Sequence, residues 1–487
     1  MLIGFDASRA FVGQATGTEN YSLNLLKSLA KVDRKNKYRV YLRESSRFTV
    51  HGSRSRKTVN SELITDNRDW PANFEFRLIG PSRLWTQFGL ALETWRNPVD
   101  LLFVPAHTLP ILRRRSITNS KFKFLNTRQY QNSNFSNSKD FEHLNFGNWS
   151  LFRISNLGFR ILRFLSQKTR YVVTIHDLGV EYLPGYHQFP QRYYLDFASR
   201  YAARHADSII AVSVATKRDL GKRYRVAGKK VFVVHEGVDT DIFRPSSKLK
   251  VQSVKSKYKI KGDYILFVGT VQPRKNLQML IEAFSILVHG TEFIDHSKAK
   301  NQKTMNYELR TMNLVIAGKL GWDYQGILTA PRKFGVEDRV KFLGRVEDAD
   351  LPALYSSAAV FAFPSLFEGF GLPILEAMAC GCPVVASDIG AHREILRKVS
   401  RKFKIPTSGE VAEAVILVKE NNIDSWADVL YQTINQYNKR LIKISEKGLF
   451  PVCKQDLASK FSWEETARKT LAVFEKIARQ DLKIRVK

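Results

Sequence analysis

Cysteine is scarce in this chain: Cys380, Cys382 and Cys453 are the only three among 487 residues. An odd, sparse set argues against a disulfide framework and fits a reducing compartment, the cytoplasm. Cys380 and Cys382 flank Gly381 ahead of an apolar run, which core packing and a turn explain. There is no second cysteine pair for zinc. No run of 18 or more apolar residues occurs, so no transmembrane helix is expected. The opening MLIGFDASRA lacks the charged start, long apolar stretch and small-residue cleavage site of a secretory signal; it reads as a strand entering a turn. Acidic residues are few as well, 46 against 77 Lys and Arg, which leaves a net charge of +31. Such a field favours polyanions: nucleic acid, an anionic membrane or phosphorylated substrates. Helix-turn-helix spacing, zinc-finger spacing and RNP-type aromatic motifs are all missing, which counts against nucleic acid.

The length exceeds one ordinary core, and 44% hydrophobic residues can fill two. Short, continuous apolar runs predict parallel strands buried on both faces. In the first half they are residues 2–5, 39–42, 101–104, 171–175, 208–212 and 231–234. In the second half they are 264–268, 314–317, 340–343, 360–363 and 383–386. Helical periodicity falls between them, as at 20–31, 193–206, 276–288 and 372–380. Alternation of this kind implies two α/β domains of the doubly wound, parallel-sheet type. They are placed at 1–245 and 246–487, with the linker near FRPSS, 243–247, and with the last helix a candidate for packing back on the first domain. Two stretches break the rhythm: about 113–168, rich in Asn, Ser and basic residues over 113–150, and the polar 288–310. Both read as surface insertions.

Within the larger insertion, LFRISNLGFRILRFLSQ (151–167) would put Arg153, Arg160 and Arg163 on one side of a helix. Leu151, Ile154, Ile161, Leu162 and Leu165 lie elsewhere around it; Leu157 falls near the arginines. This suits either a surface helix packed on the first domain or a basic amphipathic helix lying in an anionic membrane interface.

The chemistry concentrates in the second half. In PSLFEGFGLPILEAMACG (364–381) a buried-looking strand runs into a loop with Gly369 and Gly371, and Pro373 opens an apolar helix. A helix start behind a glycine loop offers free N–H groups and the positive dipole end to a phosphate. Glu368 and Glu376 stand beside that anion site. They either hold sugar and ribose hydroxyls or serve as a solvated loop acid and a dipole partner. In LFVGTVQPRKNLQMLIEAF (266–284) a strand ends at Gly269, and Arg274 and Lys275 follow before a helix. That pair can clamp a diphosphate, or be a solvated basic loop. At the carboxyl ends of strands in one open sheet, both sites can converge on one ligand. Asp348-Ala349-Asp350 spells D-x-D, but ahead of LPALYSSA it reads as helix N-terminal acids and a cap, and no metal site is expected.

These residues carry a family resemblance. EGFGLPILE (368–376) resembles the E-x7-E motif of glycosyltransferase family 4, and GTVQPRKN (269–276) resembles its phosphate loop. VVTIHDLG (172–179), AVSVATKRDL (211–220), VVHEGVDTDIF (233–243), AGKLGW (317–322), FLGRV (342–346) and CPVVASDIGAHREI (382–395) match in order and spacing. The resemblance implies the GT-B fold, two Rossmann-like domains facing across a cleft. It also implies metal-independent, retaining transfer of a hexose such as mannose from a nucleotide diphosphate sugar to an alcohol acceptor. Saccharide or lipid-linked acceptors, cell-envelope polysaccharide or glycolipid assembly and a cytoplasmic site, peripheral at the inner face of the membrane, are the biology it suggests. An epimerase or phosphorylase on the same fold, or a non-enzymatic polyanion-binding protein, are the alternatives. Carried over, Arg274 and Lys275 would bind the diphosphate, Glu368 the sugar hydroxyls and Glu376 the ribose. Gly269, Gly369, Phe370, Gly371 and Leu372 would supply backbone contacts. His176 would face the transferred sugar, although a packed strand-end histidine is the commoner role for such a residue alone. Gly13 and Gly17 match the glycine loop before the first helix. Where many relatives carry Arg after the strand glycine, this chain has Thr270.

Overall fold

A computed structural model describes residues 1–11, 17–43, 70–80, 85–113, 169–182, 191–289, 311–399, 415–419, 422–447, 457 and 460–485. Gly13, Cys453, the segment 151–167 and nearly all of both insertions lie outside the described residues.

Among the described residues, thirteen strands form two all-parallel sheets. The first has seven, β1 (Leu2–Asp6), β2 (Lys37–Arg43), β3 (Phe74–Ile79), β4 (Leu101–Val104), β5 (Arg170–Ile175), β6 (Ser208–Ala211) and β7 (Val231–Val233), in the order β3-β2-β1-β4-β5-β6-β7. The second has six, β8 (Tyr264–Val268), β9 (Asn313–Ala317), β10 (Val340–Gly344), β11 (Val360–Phe363), β12 (Val384–Ser387) and β13 (Val415–Val418), ordered β10-β9-β8-β11-β12-β13. Each order reverses beside its own first strand, leaving a crevice outside the carboxyl ends where doubly wound sheets hold ligands.

The central strands are apolar on both faces and fully buried, as VFAF of β11 and LLFV of β4 show. Helices cover both sides, as parallel crossovers require. Two strands were not anticipated, β3 and β13, and both are sheet edges. FEFRLI in β3 buries only Phe74 and leaves its other five positions half-buried or exposed, and VILV in β13 is a run of only four. β12 begins one residue later than its apolar run because Pro383 has no N–H for the ladder. Its carbonyl still accepts from Phe361 N at 2.8 Å.

Between β7 and β8 the chain crosses to the second sheet, and the helix Lys248–Lys257 starts behind Ser247, whose hydroxyl caps it. The final helix, Trp463–Arg485, returns to the first domain. It packs along the helix Gly17–Val32. Trp463 meets the ring of Tyr21 edge-on at 5.8 Å, and Phe474 lies 5.1 Å from Phe103. Gly237 is obligatory at this return, since a Cβ there would overlap the backbone of Trp463.

Candidate active site

A cleft of about 420 Å3 opens between the carboxyl ends of the two sheets. That volume is within the range of small-ligand sites. Its walls carry most of the residues singled out above: Gly17, His176, Gly269, Arg274, Lys275, Glu368, Gly369, Phe370, Gly371, Leu372 and Glu376.

The second domain builds the cationic wall. After β8, Gly269 takes φ 153° and Asn276 takes φ 56°, so the chain turns sharply through the short 3-10 turn Pro273–Lys275 before the helix Leu277–His289. This brings Lys275 onto the loop that follows β11. Its Nζ is ion-paired with Glu368 and stands 4.8 Å over the Phe363 ring. Arg274 lies 3.5 Å from the other Glu368 oxygen and 3.4 Å from Asp177 of the first domain. Burial alone would raise the Glu368 carboxyl, but Lys275 and then Arg274 outweigh it and hold it at about 2. Burial also draws the Lys275 ammonium down, against the pull of that carboxylate. Glu368 is thus ionised and locked to two cations, not a solvated loop acid.

Gly371, at φ 120°, is the N-cap of the helix Leu372–Ala379 and offers no side chain to its first N–H groups. Glu376 sits one turn in, facing the cleft. Burial pushes its carboxyl up to about 7, against a hydrogen bond of 3.0 Å from the Tyr355 hydroxyl. Phe370 differs from its neighbours: its side chain is buried between His235 and Phe461, so only its backbone can reach a ligand.

The two domains touch at Gly369. A Cβ there would overlap the carbonyl oxygen of His176. Thr216 bridges the same point, its hydroxyl 3.1 Å from His176 O and 3.3 Å from Gly369 O. His176 lines the cleft, but both ring nitrogens are engaged by protein: Nδ1 with Glu236 and Nε2 with the carbonyl of Pro105. Nearby, Glu394 accepts from Val214 N at 2.7 Å and from His235, which in turn receives Lys398 at 2.8 Å. These bonds tie the helix Gly390–Val399 to the first domain.

The D-x-D segment needs one correction. Asp350 is at the N-cap of Leu351–Ser357, yet it makes no capping bond. Its carboxylate receives Lys250 and Lys257, each at 2.8 Å, and the hydroxyl of Tyr258 at 3.2 Å. It fastens the helix Lys248–Lys257 to the start of the helix Leu351–Ser357. Among the described residues no group of three His, Cys, Asp or Glu side chains is placed to hold a metal ion, and no helix is long and apolar enough to cross a membrane.

Sequence reasoning missed Glu236, Gly318, Lys319 and Arg345, all in the cleft wall. Three of these motifs were visible, VVHEGVDTDIF, AGKLGW and FLGRV, but nothing in them marks which side chain turns inward. Gly318 is needed because a Cβ would overlap the Gly269 carbonyl.

Residues 251–441 match the model for glycosyl transferases group 1, and 148–242 match that for glycosyltransferase family 4, together more than half of the chain. O-antigen chain mannosyltransferase B of Escherichia coli is 28% identical over 306 residues, 63% of this chain and 70% of that protein. O-antigen chain mannosyltransferase RfbU of Salmonella typhimurium is 30% identical over 227 residues, covering 46% of this chain and 54% of its own length. In fold, the chain is similar to Anabaena HepE in complex with UDP and glucose, with a TM-score of 0.59 at 16% identity over 98% of this chain and all of that one. It is equally similar to sucrose-phosphate synthase from Thermosynechococcus elongatus, with a TM-score of 0.60 at 16% identity over 98% and 99%. The fold is GT-B, and the chain belongs to the group 1, family 4 glycosyltransferases.

Proposed function

We propose that the enzyme transfers a mannosyl group from a nucleotide diphosphate sugar to a saccharide or lipid-linked alcohol in the assembly of a cell-envelope polysaccharide. The observation that carries this is the joining of Arg274, Lys275 and an uncapped helix start around one cleft, with carboxylates beside them. Cations and N–H groups suit a departing diphosphate; carboxylates suit hydroxyls. The relatives named mannosyltransferases supply the sugar. In the reaction the bond from C1 to the diphosphate oxygen breaks and the acceptor oxygen bonds to C1 on the same face. The acceptor proton passes to the leaving phosphate oxygen, so retention needs no acid–base carboxylate pair of the glycosidase kind.

A panel of nucleotide sugars tested by thermal shift, followed by transfer to acceptor in EDTA, checks this reading. At about 100 Kd the correct sugar donor stabilises by about 2.7 kcal/mol, visible as a raised Tm. The expected result is a mannose nucleotide giving the largest shift and transfer that survives chelation. Equal shifts from all sugars would remove the mannosyl assignment. Loss of transfer in EDTA, restored by magnesium or manganese, would remove the metal-independent one.

Docking on an anionic membrane is part of the same reading. Besides the net charge of +31, it is supported by large apolar side chains exposed on the first domain. Phe88, Leu92 and Trp95 recur along one helical stripe, and Gln87 bonds that segment to Leu109 and Ile111 beside exposed Leu112. Each basic residue near an anionic leaflet adds about 1 kcal/mol. Co-sedimentation with anionic vesicles, weakened by salt and absent with neutral vesicles, is the expected outcome. No binding to anionic vesicles at low salt would rule docking out.

A further inference from the structure

Glu236 follows β7 and is only 5% exposed, yet it faces the cleft. Its Oε1 stands 3.1 Å from His176 Nδ1, while His176 Nε2 stands 3.0 Å from the carbonyl oxygen of Pro105. A carboxylate and a peptide carbonyl only accept, so both ring nitrogens donate. An imidazole carrying two N–H groups is the cation. The ring is also fixed sideways: Tyr21 meets it edge-on at 4.7 Å, and Tyr21 is itself held through its hydroxyl by Thr174 at 3.2 Å.

We propose that Glu236 is a positioning residue that keeps His176 as a fixed imidazolium in the cleft wall, so that His176 adds a positive charge from the first domain to those of Arg274 and Lys275 and does not act as a base. The proposal rests on the cleft being the sugar-nucleotide site. With both nitrogens occupied, His176 has no lone pair to offer an acceptor hydroxyl. A charge held in place before the reaction stabilises the departing diphosphate without reorganisation.

The groups facing His176 agree with this assignment. They are Glu236, Asp177, the hydroxyl-bearing ring of Tyr21, and His107, whose ring lies 6.1 Å away. Burial would lower His176, but the bond and charge of Glu236, with the Pro105 carbonyl, outweigh it and raise it. His107 is pushed the other way, to about 4, by burial and then by the charge of His176. The histidine pair therefore holds a single charge, on the ring that Glu236 touches.

Glu236→Gln separates charge from shape, because the amide oxygen still accepts from Nδ1–H. With the anion gone, burial dominates and His176 loses its proton as pH rises. In the variant, kcat should fall roughly tenfold as pH rises through the ordinary histidine range, a limb absent from the wild type. Histidine Cε1–H resonances, with His176 assigned through a His176→Gln spectrum, give a readout that needs no substrate. In the ligand-free wild-type protein the His176 signal should keep its imidazolium position to higher pH than a free histidine does. A wild-type His176 signal that is neutral at pH 7 would overturn the proposal. So would a Glu236→Gln pH profile that superimposes on the wild type. If the NMR result holds but nucleotide sugars fail to bind, the cleft assignment fails instead, and the dyad stands.

Discussion

Replacing Lys275 with alanine should lower turnover by roughly 10²–10³, the usual loss for one preorganised charge aimed at a developing anion. In the ligand-free protein Lys275 is ion-paired with Glu368, and Arg274 supports the same carboxylate at 3.5 Å. An entering diphosphate must therefore compete for a lysine that is already bound and buried. The ammonium is held in place by that pairing, and little ordering remains to be done in the transition state. The variant leaves Glu368 with Arg274 alone, so its Tm should be measured alongside kcat. A folded Lys275→Ala enzyme with unchanged turnover would take Lys275 out of the chemistry. A loss in Tm without a loss in kcat would leave it a structural partner of Glu368.

Gly369→Ala is expected to lower kcat/KM by about 10²-fold, the cost of moving catalytic groups by about 1 Å. The reason is steric. A methyl group at Gly369 would overlap the His176 carbonyl and would stand only 3.2 Å from Asp177 Cβ. The loops of the two sheets must part, and the Thr216 bridge, with bonds of 3.1 and 3.3 Å, breaks with them. Gly228→Ala is the matched control, since its Cβ would meet nothing within 4 Å and it lies outside the cleft wall. Equal activity of the two variants would show that the domains can separate here without cost.

Central strands and the cleft's second-domain wall were legible in the sequence for one physical reason. A strand buried on both faces must be apolar throughout, and a loop that meets a phosphate needs glycines, cations and a helix start close together in the chain. β3 and β13 escaped because an edge strand is only half covered and carries a weaker pattern. Glu236 escaped because its partner is distant in sequence. Only the parallel packing of β5, β6 and β7 brings Glu236, three residues past Val233, beside His176, the one after Ile175. The same holds for Gly369, whose missing side chain matters through a contact with the other domain. Asp350 shows the converse error. Its position at a helix start suggested a cap, but Lys250 and Lys257, supplied by a helix a hundred residues earlier, claim the carboxylate.

The helix Trp463–Arg485 also fixes when the first domain can be completed on a ribosome. Every strand of the first sheet has emerged by Val233, yet the cover over Tyr21 and Phe103 is not made until Trp463 and Phe474. At roughly 5–20 residues per second, the first domain waits on the order of ten to fifty seconds with that apolar face open. The second sheet, whose strands and helices follow one another without such a debt, closes in the meantime. The first domain is therefore completed only when the helix Trp463–Arg485 has settled on the helix Gly17–Val32.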